Sequence, residues 1–182
     1  MKTRVLDKLI KYGDELNLKK KSSILNFGEI SNHMYFLVQG VVRHYIIDQN
    51  GNEKTIRISV ENDFFYSSVV SFFRNEPSYI SCEALTKVYL IKWNKKSLDR
   101  LMETDKKFET FRYQKLTEFI LEKHQKEITL ISDSAEKRFL KFCNTHGELF
   151  NRIPHYVIAS YLNMTPEMLS RLRRKTFLDL VQ

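Results

Sequence analysis

Four cations crowd the end of the chain: Arg171, Arg173, Arg174 and Lys175, within or closing the stretch YLNMTPEMLSRLRRK at residues 161–175. A guanidinium presents a rigid fork of donors, so Arg171 can bind the O6 and N7 edge of a guanine, and Glu167 can accept from a cytosine amino group. Thr165, Ser170, Arg173, Arg174 and Lys175 carry the hydroxyls and charges that hold phosphates. Arginines clustered on a helix usually mark no more than a solvated surface, and the local grammar is what sets these apart. Pro154 to Tyr161 reads as a short helix with Val157, Ile158 and Tyr161 inward, Leu162-Asn163-Met164 as a turn, and Thr165-Pro166-Glu167 as the start of a second helix. Small Ala159 permits close helix approach, Asn163 tolerates a left-handed backbone, and Met164 and Leu169 can plug the space between the helices. Thr165 suits the cap, Pro166 the first turn and Glu167 the positive end of the dipole. On the second helix Glu167, Ser170, Arg171 and Arg174 share the face opposite Met168, Leu169 and Leu172. This is a helix-turn-helix pattern with a face that fits a major groove.

Bulk properties agree with a polyanionic partner. Thirty Lys+Arg against 22 Asp+Glu give a formal charge of +8 and a pI near 9.4, a field that attracts nucleic acid or an anionic surface. The N-terminal residues MKTRVLDKLIKYGDEL lack the apolar core of a signal peptide. No run approaches the roughly 20 apolar residues of a membrane span, so a cytoplasmic protein with no membrane partner is expected. Cys82 and Cys143 are the two cysteines and lie far apart, which excludes a disulfide framework, a cysteine-rich zinc site and a four-thiolate cluster. Both are expected to be packed thiols. Glycine loops for phosphates, zinc-ligand spacings and nucleophile motifs are missing, so no enzyme activity, metal or cofactor is expected. His33, His44, His124, His146 and His155 offer haem ligands only in the general sense, and His44 in VRHYII reads as an ordinary strand residue.

The elements that must position the terminal motif fall into two textures. From about Ser23 to Trp93, short β-branched and aromatic runs (SILNF, MYFLV, VVRHYII, KTIRISV, YISCEAL, KVYLIKW) alternate with polar turns, the pattern of an antiparallel roll or barrel. Asn50-Gly51 within DQNGN favours a type I′ hairpin turn, and Gln39-Gly40 and Asn62-Asp63 supply further turns. Beyond Asn94 helices are predicted. NKKSLDRLME forms a short one, and Asp105 to about Ile131 a long one without a breaker. Phe108, Phe111, Leu116, Phe119, Ile120, Ile128 and Ile131 give that helix more apolar surface than a lone helix bears in water, so it pairs with its twin or packs on the roll. Asp133 is the expected N-cap of the next helix, with Glu136 completing a capping box, and His146-Gly147 ends it. The expected fold is α+β. A β-roll domain spans residues 1–104, a dimerisation helix 105–132, and a helical, winged helix-turn-helix domain 133–182, with the boundary near Ser132 to Ser134.

With those elements in place, the chain resembles the cyclic-AMP receptor protein (Crp/Fnr) family of bacterial transcription regulators nearly end to end. YFLVQGVVRHYIIDQNGNEKTIRISVENDFF resembles the family's effector-domain core, SAEKRFLKF the helix entering the DNA-binding domain, and ASYLNMTPEMLSRLRRK the reading motif, with Ser170-Arg171 the most specific match. The resemblance implies a homodimer on a two-fold related site in double-stranded DNA, with Glu167 and Arg171 at base-reading positions and RNA polymerase as a further partner. Pro166 stands where the family commonly has an arginine.

Cyclic-nucleotide binders of the family carry Gly-Glu for the ribose and Arg-Ser or Arg-Thr for the phosphate. Here Tyr66-Ser67 and Pro77-Ser78 occupy those places, so a response to cyclic AMP is not expected, because a buried phosphate would lack its cation. Tyr66, Ser67, Ser68, Arg74, Ser78 and Tyr79 mark the effector pocket, with Arg74 as a displaced replacement cation and the effector itself unidentified. Phe64, Phe65, Tyr66, Phe72, Phe73 and Tyr79 are expected to fill that pocket themselves or to accept an apolar ligand. The alternative function is a small-molecule sensor or scaffold that acts through protein contacts, its basic helix bound to an acidic partner.

Overall fold

The computed structural model describes residues 9–104 and 106–179. Eight strands form two four-stranded antiparallel sheets, β1 (Asp14–Leu18) beside β8 (Val88–Asn94), β3 (His33–Gln39) and β6 (Phe64–Tyr66), and β2 (Ser23–Leu25) beside β7 (Ser81–Ala84), β4 (Val42–Ile47) and β5 (Glu53–Ser59). The expected β texture begins late by one strand: β1 precedes Ser23 and pairs with β8 from Asp14↔Lys92 to Leu18↔Val88. Its sequence DELNL is polar at alternate positions and mostly exposed, so it lacks the apolar run that marks the other strands. Between the sheets Leu25, Tyr35, Leu37, Val42, Phe65, Cys82, Ala84, Val88 and Leu90 close one core. A second packs Leu9, Met34, Phe36, Phe72, Ile91, Trp93 and Leu98 against Phe108 and Phe111 of the long helix.

Two turns shape the roll, one crossing between the sheets and one closing a hairpin within a sheet. Gly40 joins β3 to β4 at φ +105°, and a Cβ there would lie 2.4 Å from the Lys87 carbonyl oxygen. The β4–β5 hairpin pairs Ile47 with Glu53, as VVRHYII and EKTIRIS predict, but its turn is not type I′. Gly51 has positive φ and Asn50 does not. The Asp48 carboxylate accepts from the backbone N–H groups of both Asn50 and Asn52, at 2.9 Å each. That side-chain capture favours a longer loop over the two-residue turn that Asn-Gly alone suggests.

Among the described residues the α-helices that follow or interrupt the strands are α1 (Val69–Arg74), α2 (Lys95–Thr104), α3 (Lys106–Ser132), α4 (Ala135–His146), α5 (His155–Tyr161) and α6 (Pro166–Asp179), with a 3₁₀ turn at Gly147–Asn151. Asn94 caps α2, its side chain accepting from Ser97 N–H at 2.9 Å. Asp105, expected to open the long helix, lies outside the described residues. Helix α3 has 27 residues, about 40 Å at 1.5 Å per residue. The expected cap at Asp133 is corrected. Ser134 is the N-cap, in extended backbone, accepting from Lys137 N–H, which leaves Glu136 one position short of a capping box. Asp133 is instead buried and binds Lys137 at 2.8 Å and Lys141 at 2.6 Å. Its carboxyl is held below the usual range by hydrogen bonds from those two ammonium groups. Gly147 ends α4 with a right-handed backbone and leads straight into the 3₁₀ turn. Among the described residues no strand follows β8, so the terminal unit is helical without the expected wing. Both cysteines are free, Cys82 buried and Cys143 half-buried.

The terminal unit seats on the open edge of β5. Edge strands expose unpaired backbone groups that need a partner. Ser160 of α5 accepts from Thr55 N–H at 2.8 Å and donates to Glu53 carbonyl oxygen at 3.3 Å, while Lys126 of α3 donates to the Ile56 carbonyl at 2.9 Å. Arg152 pairs with Glu61 through both guanidinium nitrogens. Beneath these polar contacts Val41, Ile58 and Leu85 of the roll join Phe139, Phe142, Leu149, Ile153, Val157, Ile158, Leu162, Leu169 and Leu172 in one apolar cluster.

Replacing Gly40 with alanine is expected to lower folding stability by roughly 2 kcal/mol or more, because a positive φ and a backbone clash act together. Urea unfolding measures it, and an unchanged midpoint would contradict the role given to this turn.

Candidate nucleic-acid interface and roll pocket

Backbone chemistry builds the turn between α5 and α6. Asn163 sits in the left-handed region at φ 53°, and Met164 N–H reaches back to the Ala159 carbonyl at 3.0 Å. Thr165 caps α6, its hydroxyl accepting from Met168 N–H at 3.2 Å. The Glu167 carboxyl is held below the usual range by its own backbone N–H and then by the Thr165 hydroxyl. Arg138, which no motif singled out, clamps the turn from α4: its guanidinium donates to the carbonyls of Leu162 at 2.9 Å, Asn163 at 3.3 Å and Asp133 at 2.7 Å. An arginine inside a helix carries no sequence signal for this work, since its acceptors lie on another element.

Leu169 and Leu172 are buried, and with them inward the helix period turns Glu167, Ser170, Arg171 and Arg174 to solvent. Arg171 and Arg174 make no hydrogen bond or ion pair with another described residue. The remaining two predicted cations are engaged. Arg173 lies over the Phe150 ring at 4.9 Å and 3.0 Å from His155 Nδ1, and Lys175 donates to Glu136 at 2.8 Å. The structure therefore brings Thr165, Glu167, Ser170, Arg171 and Arg174 onto one exposed face and sets Arg173 and Lys175 at its margins.

In the roll, the predicted pocket residues divide. Ser67 and Ser68 are buried together with Ser31 and Ser71. The Ser31 and Ser67 hydroxyls are 2.8 Å apart, Ser71 Oγ accepts from Ser31 N–H at 2.9 Å, and Ser68 caps α1. This mutually satisfied hydroxyl network includes no charged group. The Tyr66 ring packs tilted against Phe72 at 4.6 Å and Phe73 at 5.5 Å between centroids, so the aromatic residues fill much of the space themselves. Ser78 is used locally, donating to the Ile80 carbonyl at 2.8 Å. Arg74 is exposed in the last turn of α1, and Tyr79 is 74% exposed, edge-on to Phe27. Neither reaches the interior.

Cations enter from β5 and α3. Arg57, on β5 and buried, lies 3.5 Å from Glu122 of α3 and 3.9 Å from Asp63. Lys123 and Lys126 of α3 both donate to the Ile56 carbonyl. Burial, opposed by the nearby Arg57, raises the Asp63 carboxyl. His44 stands opposite Arg57 across the β4–β5 ladder, edge-on to Phe65 at 5.2 Å, with Nδ1 3.3 Å from the Ser67 carbonyl. Burial first, and Arg57 second, push its imidazole down to about 3, so it is neutral. A cation inside a strand, KTIRIS, was the available signal for Arg57, but its importance depends on which helix covers that strand.

The family model for the cyclic nucleotide-binding domain matches residues 15–105, half of the 182 residues. No curated protein matches the sequence. Among solved structures, FixK2 from Bradyrhizobium japonicum is similar at 18% identity over 92% of this chain and 85% of that one, TM-score 0.78. CLP from Xanthomonas campestris, described as a c-di-GMP responsive global regulator, is similar at 13% identity over 97% and 92%, TM-score 0.73. A protein from Eubacterium rectale described as a Crp/Fnr-family transcriptional regulator is similar at 18% identity over 96% and 83%, TM-score 0.71. At these identities the likeness is one of fold. No helix among the described residues is long and apolar enough to cross a membrane.

The unfolded chain protonates His44 near its ordinary 6.5, whereas the folded chain keeps it neutral to about 3. The stability it confers is thus complete above pH 6.5 and is lost as pH falls through that interval. Relative to a His44→Gln variant, wild-type stability should fall by on the order of 1 kcal/mol per pH unit below 6.5. Urea titrations from pH 7.5 to 4.5 measure the difference, and a constant gap would contradict a neutral buried imidazole.

Proposed function

The chain belongs to the cyclic nucleotide-binding domain family, and on that basis we propose that it is a dimeric, sequence-specific DNA-binding transcription regulator of the Crp/Fnr type that does not respond to cyclic AMP. The observation that carries the proposal is the free cationic face of α6. Arg171 and Arg174 are exposed without partners among the described residues, beside Glu167 and Ser170 and on the side of the helix away from its packed leucines. Such a face supplies base-edge donors and an acceptor together with phosphate contacts. Similarity of fold to FixK2 and to the Eubacterium rectale protein over more than nine-tenths of this chain supports the same reading.

Two-fold pairing is the natural use of the apolar stripe on α3. Tyr113, Ile120, Leu121, Ile128 and Ile131 are 43% to 83% exposed and lie at helical spacing on the face turned away from Phe108 and Phe111, which the roll covers. Parallel contact of two such helices would present two α6 helices to successive turns of a duplex. Support for insensitivity to cyclic AMP comes from the hydroxyl network at Ser31, Ser67, Ser68 and Ser71, and from the outward position of Arg74. A cyclic phosphate placed there would displace bonds that the hydroxyls already make, and desolvating a poorly paired anion costs several kcal/mol.

Arg171→Ala should weaken binding to a selected duplex by roughly 1 to 3 kcal/mol and relax preference at one base position of each half-site. Fluorescence anisotropy against selected and scrambled duplexes measures both. Unchanged selectivity would show that Arg171 does not read a base, and equal wild-type affinity for both duplexes would favour a protein-binding role instead. Ile120→Glu, which places a charge in the α3 stripe, should convert a dimer to a monomer that still unfolds cooperatively, as read by light scattering after size exclusion. A mass equal to that of wild type would contradict pairing through α3.

A further inference from the structure

The junction of long helix, roll and terminal unit is short of negative charge. Arg57, Lys123 and Lys126 converge there. Neither lysine makes an ion pair among the described residues, and both ammonium groups crowd one neutral acceptor, the Ile56 carbonyl, at 3.4 and 2.9 Å. Asp63 and Glu122 stand 3.9 and 3.5 Å from Arg57, distances looser than a close charge-assisted bond. The buried Arg57 Nε has no hydrogen-bond partner.

A cleft of about 660 Å³ opens beside this junction, between the C-terminal half of α3 and helices α4 and α5, a size usual for small-molecule sites. Lys126, Thr129, Leu130, Phe142, Tyr161 and Leu162 line it. Of the three N–H groups of Lys126, one goes to Ile56 and one faces the Tyr161 ring, whose centroid is 3.6 Å from Nζ. The third is left for an acceptor. Leu130, Phe142 and Leu162 supply an apolar floor running away from that ammonium. The cleft also stays open in a dimer paired through α3, because Lys126 and Thr129 lie on the helix face opposite Ile120, Ile128 and Ile131.

We propose that this cleft is a ligand site for an amphipathic carboxylate, its anionic head on Lys126 and its apolar body along Leu130, Phe142 and Leu162. The head supplies the missing charge, and the body bridges α3 to α4 and α5, so an occupied cleft holds the terminal unit against the roll. Burial, with Lys123 as the next cause, pushes the Lys126 ammonium down to about 7, and an anion beside it would raise it again.

Octanoate is the probe, titrated by calorimetry into the full-length protein without DNA, so that the outcome is independent of how α6 is read. Saturable binding of one octanoate per chain is expected. Lys126→Gln should weaken it at least tenfold by removing the head contact, and Thr129→Trp should weaken it as much by filling the cleft, each variant being checked for an intact unfolding transition. Should one variant not fold, the other decides. Octanol should bind at least tenfold more weakly than octanoate. The proposal is overturned by absence of saturable binding, by octanol binding equally well, or by octanoate affinity that survives in either folded variant, since adsorption on the exposed α3 stripe would give that result.

Discussion

One apolar cluster runs without a break from Val41, Ile58 and Leu85 of the roll to Leu169 and Leu172 of α6, and the exposure of the cationic face of α6 depends on it. Burying a leucine stabilises a fold by about 2 kcal/mol, whereas the partly exposed Arg152–Glu61 pair adds about 1 kcal/mol or less. Packing therefore sets the orientation of α6, and the polar contacts on β5 select among packed arrangements. Ser160 and Lys126 satisfy backbone groups that an edge strand would otherwise leave open to water or to another chain. With the leucines held inward, the helix period turns Arg171 and Arg174 outward.

The roll has the opposite electrostatic arrangement from a phosphate-binding pocket. At the N-terminus of α1, hydroxyl groups satisfy one another around the N-cap Ser68. Arg57, Lys123 and Lys126 gather instead on β5 and α3. Burial, with Arg57 as the second cause, keeps His44 neutral there; Lys123 and Lys126 both bind the roll at the Ile56 carbonyl, and Lys126 also meets Tyr161 of the terminal unit.

Much of this was legible in the sequence where local chemistry decides the outcome. The cap at Thr165, the left-handed Asn163 and the inward Val157, Ile158 and Leu169 follow from spacing, because each depends on residues within one helical turn. The β4–β5 pairing follows from its flanking runs. The errors arose where a neighbour competed. Asp48 captured the backbone that Asn50-Gly51 would have turned, and Ser134 took the cap from Asp133, whose carboxylate two lysines hold. Arg138, Arg57 and Lys126 could not be found by inspection, since their partners are carbonyls or rings brought close only by the tertiary fold. Position along the chain points Arg74 and Tyr79 to the pocket, whereas the fold leaves both exposed on the surface.

The most direct test of the central claim is selection of binding sites from random duplexes by the purified protein. The account predicts enrichment of a two-fold related sequence, its half-sites separated by about one turn of B-form DNA. Recovery of unenriched, random duplexes would contradict it, because a face that only neutralises phosphates selects no sequence.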